Sequence, residues 1–475
     1  MARLSSFLIM VALIAGMVGC GEVAPPTRYN LTMAVAPAGS GNATDLTNTS
    51  PYAAGTVVNI TAVAGVGYQF VKWTAPGGTF GNATAVQTTF TMPAQNVTVT
   101  ANFGVKAMEI RTWYDLDAIR DNMDGTYLLM NDLDSTTAGY EELASPTANG
   151  GKGWKPIGSL SVDPVRFDIV NPIDAFTGSL DGQGYEIRDL CINRPDEDGV
   201  GLFGCAGGGE VVENLGVVNA EVTGRSYVGG LVGWQHYGTV SNSYSTGSVI
   251  GDEQIGGLVG GSWGVVSNSY LTGSVIGNEH VGGLLGGNWG SVSSCYSTGN
   301  VTGGGGLNKG GVGGLVGGNW GGVSRCYSTG NVTGGLEVGG LVGWQHYGTV
   351  SKSYSTGSVT GSTRVGGLVG ANYYDGRVTH CYSTSRVTGD DHVGGLTGEN
   401  YATVINSFWD VETSGTEESD GGTGRTTAQM KNVTTFSAAD WSIIAVADPG
   451  TRNTDYTWNI VDGQTYPFLS WEPVS

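Results

Sequence analysis

The chain has 475 residues, of which 83 are glycine, 14 are proline and only 13% are charged. With no Gly-X-Y period that composition is not collagen, and 39% hydrophobic content with 12 Trp, 21 Tyr and 11 Phe excludes low-complexity disorder. A net charge of −20, from 21 Lys and Arg against 41 Asp and Glu, argues against nucleic acid as a partner, because phosphate binding depends on clustered cations.

Residues 1–19 read as a targeting segment: Arg3, an apolar stretch from Phe7 to Val18, then Met17-Val18-Gly19-Cys20. This resembles a bacterial lipoprotein signal, with Met17 where Leu is usual, and the resemblance implies lipidation of Cys20 after cleavage. Two or more acyl chains would hold the chain to the envelope, since one chain is marginal. Plain secretion with an incidental Cys20 is the other reading. No other apolar run approaches the ~20 residues that span a bilayer, so the predicted membrane attachment is N-terminal only. Residues 20–28 are a short linker.

Residues 29–103 alternate β-branched and polar positions between Gly, Asn and Pro breaks, the pattern of short antiparallel strands. Gly67-Tyr68-Gln69-Phe70-Val71-Lys72-Trp73 and Phe90-Thr91-Met92-Pro93 resemble the divergent InlB B-repeat family. The resemblance implies a small β-grasp-like spacer or interaction unit of surface proteins, with Trp73 expected in its core.

From Val200 the chain becomes an array. VGGLVG or a near variant starts at Val228, Ile255, Val281, Val312, Val338, Val365 and Val393, at spacings of 27, 26, 31, 26, 27 and 28 residues. Tyr244, Tyr270, Tyr296, Tyr327, Tyr354, Tyr382 and Phe408 keep the same register, and residues 229–249 recur at 339–359 with one change, Asn242 to Lys352. Each unit holds three β-prone pieces and no helical period, which predicts an all-β parallel β-helix of three-strand coils stacked at ~4.8 Å. Val and Leu should fill its interior, and Gly should turn corners that need positive φ. Parity along GTVSNSYS requires a corner or bulge near Asn242, whose place the sequence leaves open.

The array resembles the GLUG-motif family through Gly201-Leu202-Phe203-Gly204, Gly230-Leu231-Val232-Gly233, Gly257-Leu258-Val259-Gly260, Gly283-Leu284-Leu285-Gly286, Gly314-Leu315-Val316-Gly317, Gly340-Leu341-Val342-Gly343, Gly367-Leu368-Val369-Gly370 and the departing Gly395-Leu396-Thr397-Gly398. The resemblance implies a cap and entry coils over 108–199, with a short helix at Trp113-Tyr114-Asp115-Leu116-Asp117-Ala118-Ile119, the array over 200–408, and a C-terminal coil and cap over 409–475. In that family the repeats belong to large exported surface proteins, including some IgA peptidases, where they are accessory.

Three groups of residues invite a chemical reading. Tyr237, Trp263, Trp289, Trp320, Tyr347, Tyr374 and Tyr401 recur just before a Gly of each coil, with Trp234 and Trp344 nearby, and stacking should align them in one stripe beside polar Asn288, Asn319 and His236. Such rings would suit sugar faces or a partner's side chains, or they would simply shield the corner by stacking on one another. Glu253 and Glu279 should be neighbours one coil apart, with Asp252 and Asn278 beside them; a solvated turn, a calcium site or a glycosidase pair all fit. His280 and His392 lie four coils apart, too far to share a metal. Finally, Cys295, Cys326 and Cys381 occupy a site held elsewhere by Ser243, Ser269, Ser353 and Ser407, which predicts small buried groups rather than disulfides.

No HExxH, GxSxG or P-loop is present, and nothing calls for a cofactor. The sequence therefore reads as an exported, lipid-anchored, surface-exposed and non-enzymatic β-helix that binds polysaccharide or a cell-surface protein. A polysaccharide lyase or glycoside hydrolase on the same scaffold and a purely structural envelope protein are the alternatives.

Overall fold

The computed structural model describes residues 25–162, 169–304 and 310–473. The signal segment and Cys20 lie outside the described residues. The chain divides into a unit ending at Lys106 and a unit beginning at Ala107.

The first unit is built of strands alone among its described residues. Leu31–Ala36, Val97–Val105 and Tyr68–Thr74 form one sheet; Gly41–Asp45, Val57–Ala64, Gln87–Thr91 and Thr79–Phe80 form another. The β-rich expectation holds, and no grasping helix accompanies it among those residues. Trp73 is buried in the core with Val58, Ile60, Phe90 and Val99, and its Nε1 donates to the Ala85 carbonyl at 3.0 Å. The last strand runs to Val105, so the unit closes a few residues beyond the predicted 103.

The second unit is a parallel β-solenoid. Its walls are long parallel sheets: one of eight strands from Phe203–Gly207 to Thr397–Asn400, one of seven from Ser226–Val228 to Asp391–Gly394, one of eleven from Met108–Ile110 to Thr403–Ile405, and a sixteen-stranded sheet that takes two short segments from most coils. A single coil shows the division: Glu253–Gly256, Val259–Ser262, Val265–Ser267, Tyr270–Leu271 and Ser274–Ile276. The predicted three pieces are thus five segments, because two of the pieces bend. GTVSNSYS breaks at Asn242, Asn268, Ser294, Arg325, Lys352, His380 and Asn406, all in the left-handed region at φ 48–54°. That break is the corner which parity demanded: Val240 points in before it, and Ser243 points in again after it.

The role expected of glycine is corrected. In residues 210–400 the described glycines with positive φ are only Gly247 and Gly311, while Asn, Arg, Lys, His, Glu and Tyr occupy the left-handed corners. The array glycines answer to space instead. A Cβ on Gly229 would lie 2.7 Å from the Leu258 carbonyl oxygen of the next coil, and one on Gly230 would lie 2.5 Å from Ser245 Oγ across the interior. The doublet is where the backbone of one coil crosses closest to the next, so a side chain there would push the stack apart.

The interior is filled in columns. Val228, Ile255 and Val281 stack above Val312, Val338 and Val365, flanked by columns headed by Leu231, Val240 and Val249, all fully or almost fully buried. The cysteine column is buried and unbridged, as expected. Cys295, Cys326 and Cys381 each direct Sγ to the carbonyl two residues back at 3.2–3.3 Å, as Ser243, Ser269, Ser353 and Ser407 direct Oγ at 2.7–2.9 Å. One local geometry created by the left-handed corner accepts either group, which is why they interchange.

Both ends are closed, which blunts exposed strand edges. At the start, helix Trp113–Asp117, with a capping box between Thr112 and Asp115, buries Trp113 and Leu116, and Trp113 packs near Trp154. At the other end, Thr423–Arg425 pairs with Phe408–Asp410 and Ser419 bonds the backbone of Thr397. The remainder of the predicted terminal cap does something different. Met430, Phe436, Trp441, Trp458, Ile460 and Leu469 pack against the side of the rod, over Tyr327, Tyr354, Tyr382 and Phe408.

Candidate functional site

The aromatic stripe exists, but its rings meet solvent unequally. Tyr237, Trp263, Tyr347, Tyr374 and Tyr401 are 58, 39, 55, 60 and 71% exposed, whereas Trp289 and Trp320 are half-buried and stack face to face at 4.5 Å and 7°. The length of the turn accounts for the exposure of Tyr237, Tyr347 and Tyr374, whereas Trp263 is exposed within a 26-residue coil. In the 26-residue coils the turn holds a lone Trp; in the 27- and 28-residue coils one or two extra residues enter at the same turn, and Tyr237, Tyr347 and Tyr374 sit there at φ 56–64°. The left-handed insertion throws those tyrosines outward.

What lies beneath the rings decides the rest. The outward position of the adjacent wall is, in register, Trp234, Gly261, Gly287, Gly318, Trp344, Ala371 and Glu399. Over Gly287 and Gly318 the rings of Trp289 and Trp320 fold back, so that a Cβ on either glycine would meet the ring carbons at 2.6 and 2.7 Å. Trp234 itself is buried against Tyr227 and Trp289. Asn288 and Asn319, expected beside the stripe as surface polar groups, point the other way. They are fully buried and belong to an amide ladder inside the wall: Asn288 donates to Asn319 at 2.8 Å, Gln345 to Asn372 at 3.0 Å, and Asn372 to Asn400 at 2.7 Å. Paired amides of this kind satisfy one another and stiffen the wall.

From Trp344 onward the wall carries bulk and charge instead of glycine, and a cleft of about 650 Å³ opens, lined by Glu279, His280, Gly310, Leu336, Glu337, Trp344, Tyr373, Tyr374 and Tyr401. Its depth comes from two columns that face each other across the corner. One is the left-handed residue before each hexamer, including His280, Glu337, Arg364 and His392 at φ 49–59°. The other holds Trp344 and Glu399. Arg364 bridges them: Nη1 lies 3.2 Å from Glu337 Oε1, and Nε lies 2.5 Å from Glu399 Oε2. Tyr373 donates its hydroxyl to Glu399, as does Tyr401 at 3.2 Å. Burial outweighs Arg364 and raises the Glu337 carboxyl above its ordinary value. Burial also lowers His280 to about 4, so its imidazole is neutral at physiological pH, with Nδ1 3.3 Å from Gln254 Nε2.

The sequence reading placed Tyr374 and Tyr401 in the stripe but did not single out Glu337, Arg364 or Glu399. The signal was available: Glu337 and Arg364 occupy the same repeat position one coil apart with opposite charge. The acidic pair fares differently. Glu253 and Glu279 are direct cross-strand partners, as predicted, and Asp252 Oδ1 accepts from Asn278 Nδ2 at 2.5 Å. Among the described residues no three His, Cys, Asp or Glu side chains converge to hold a metal ion, so the calcium expectation for Asp252, Glu253 and Glu279 finds no such group. No helix among the described residues is long and apolar enough to cross a membrane.

Comparison with known proteins fits this architecture. Residues 31–107 match the divergent InlB B-repeat domain, and residues 224–250, 251–276, 277–302, 334–360 and 361–388 match the GLUG motif. Of the coils left out, the one between residues 302 and 334 carries the five-residue insertion that lengthens its spacing to 31. Halomucin of Haloquadratum walsbyi is 35% identical over 208 residues, 38% of this chain and 2% of that protein. A protein of Evansella cellulosilytica, provisionally named a Gly-rich membrane protein, is 32% identical over 138 residues, 28% of this chain and 14% of that one. The chain thus spans a small part of the length of the curated relatives it matches. Among solved structures, one described provisionally as an immunoglobulin A1 protease from Bacteroides ovatus is 18% identical with a TM-score of 0.40, covering 78% of this chain and 93% of that one; an IgA1 protease is 17% identical with a TM-score of 0.38, covering 78% and 25%. TM-scores this low carry no argument about activity. The chain carries a divergent InlB B-repeat domain followed by GLUG-motif repeats wound into a parallel β-solenoid.

Proposed function

We propose that this is a non-enzymatic surface protein of the cell envelope, held there through a lipidated Cys20, that binds polysaccharide or another surface component along its aromatic corner. The observation that carries the reading is the set of five outward rings, 39–71% exposed, repeated along a wall stiffened by the buried amide ladder. Exposed aromatics on a rigid frame lose little entropy on binding, and contiguous exposed apolar surface ordinarily marks an interaction site. The repeat families, and relatives named as a halomucin and a Gly-rich membrane protein, support the surface location.

The test is a polysaccharide pull-down and glycan array with the parent and a Tyr237→Ala/Trp263→Ala/Tyr347→Ala variant, beside an assay for reducing ends and unsaturated products. Binding weakened at least tenfold in the variant, with no product formed, is the expected result. Product formation that Glu253→Gln abolishes would replace this reading with a polysaccharide-processing enzyme, and parent protein that neither binds nor turns over would leave a structural envelope protein. Fatty-acid labelling of the parent and of Cys20→Ala tests the anchor.

A further inference from the structure

We infer that the cleft between Trp344 and Tyr401 is a discrete subsite for a neutral, hydroxyl-rich sugar unit, at which a polysaccharide lying along the corner is selected against uronate-bearing chains. The inference rests on the polysaccharide-binding reading and deepens it. Along the upper corner Tyr237 and Trp263 present open rings beside His236; between Trp344 and Tyr401 rings, depth and hydrogen-bonding groups come together. The cleft volume of about 650 Å³ falls within the range of small-molecule sites and accommodates a short saccharide.

The lining decides the ligand class. Trp344, Tyr374 and Tyr401 supply faces for the C–H side of a pyranose, with Tyr401 71% exposed at the rim. Glu337 reaches the cleft as an acceptor whose charge is already paired with Arg364. A carboxylate has about four lone-pair sites, so Glu337 keeps acceptor capacity for sugar hydroxyls after that pairing. A cationic ligand would compete with Arg364 for the same oxygens and gain correspondingly less. An anionic sugar would meet Glu279, Glu337 and, behind the tyrosines, Glu399, whose side chain is 7% exposed, with the Arg364 guanidinium already shared between the last two. His280, neutral through burial, adds no compensating charge. The chemistry left is a neutral hydroxylated ring, read by stacking on one face and by O–H donation on its edge.

Titration calorimetry with glucan, mannan and galactan tetrasaccharides, and with tetragalacturonate as the uronate, tests this on the whole chain. At least one neutral tetrasaccharide should bind the parent, with tetragalacturonate at least tenfold weaker. Tyr401→Ala, at a largely exposed ring, and Trp344→Ala should each weaken the neutral ligand tenfold or more, and Tyr114→Ala, at an exposed ring of the N-terminal cap, should leave it within twofold. Thermal unfolding of each variant separates loss of the site from loss of the fold. The inference is overturned if no neutral tetrasaccharide binds at millimolar concentration, if tetragalacturonate binds as well, or if the folded Tyr401→Ala protein binds like the parent. Polymer binding that only the corner variant weakens would overturn the subsite and leave the proposed function standing. Binding to neither polymer nor tetrasaccharide would remove both.

Discussion

Two aromatic columns climb the same rod and meet opposite fates. Tyr244, Tyr270, Tyr296, Tyr327, Tyr354 and Tyr382 stand in paired strands, and their rings stack at 4.7–5.1 Å within 10° of parallel. That separation is the interstrand spacing itself, so strand register imposes the stack. The corner column lies in turns rather than in the ladder of backbone bonds. Its rings meet at varied angles, from the stacked Trp289 and Trp320 to Tyr237 and Trp263 at 57°. Residues locked by register become a surface fit to be covered, and the lower part of the tyrosine ladder is indeed covered by residues 430–469. Residues freed by a turn remain available to a ligand.

The contrast can be broken most forcefully at the cover. Trp458, 1% exposed and packed near Tyr354 and Tyr382, should lose about 3–5 kcal/mol of cover stability on change to Ala. Hydrogen exchange should then show the cover opening while the coils stay protected; coils that unfold together with it would mean that the cover is part of the solenoid core. Next in size is a matched pair of ring deletions. Tyr354→Ala should cost about 3 kcal/mol, whereas Tyr374→Ala should fall within about 0.5 kcal/mol of the parent in urea unfolding. Equal costs would erase the distinction between the two columns.

A pH series sharpens it further. Glu472 lies beside the covered tyrosines and accepts from the Leu469 amide at 2.6 Å; burial lifts its carboxyl from 4.5 to about 7. Because the folded value is raised, the cover keeps its proton where the opened chain has lost it. Stability from this group is therefore full below pH 4.5, declines as the pH climbs towards 7 and levels off above. Glu472→Gln should flatten that decline and make the cover more stable than the parent's at pH 8, as read from the urea midpoint of tryptophan fluorescence. An unchanged pH profile would assign the dependence to another group. The smallest effect belongs to Cys326→Ser, expected within about 1 kcal/mol, since serine makes the same bond to the carbonyl two residues back at sibling positions.

Much of the fold was legible because a repeat reports its own averages. The period, the Val and Leu columns, the interchange of Cys with Ser and the need for a corner near Asn242 all follow from positions that recur. What glycine does was misread, because composition reveals permissive backbone and tight approach alike, and only the crossing of Gly229 under the Leu258 carbonyl separates them. The direction of Asn288 was misread for a similar reason: an amide suits a surface as well as a ladder, and its neighbours one coil away decide. The cleft escaped notice because it depends on which residues of two columns meet: Trp344 and Glu399, in a column that holds glycine at Gly261, Gly287 and Gly318, face Glu337 and Arg364, whereas Trp234 at the same register is buried against Tyr227.

By itself, then, the sequence determined the coil, its handrail of buried columns and the presence of two aromatic stripes, since those depend on local register repeated at short range. Tertiary structure alone decided which stripe is covered and where the other deepens into a site. Those outcomes depend on contacts between residues from Tyr327 to Trp471, and on side chains from different walls meeting across a corner, for which no local periodicity exists.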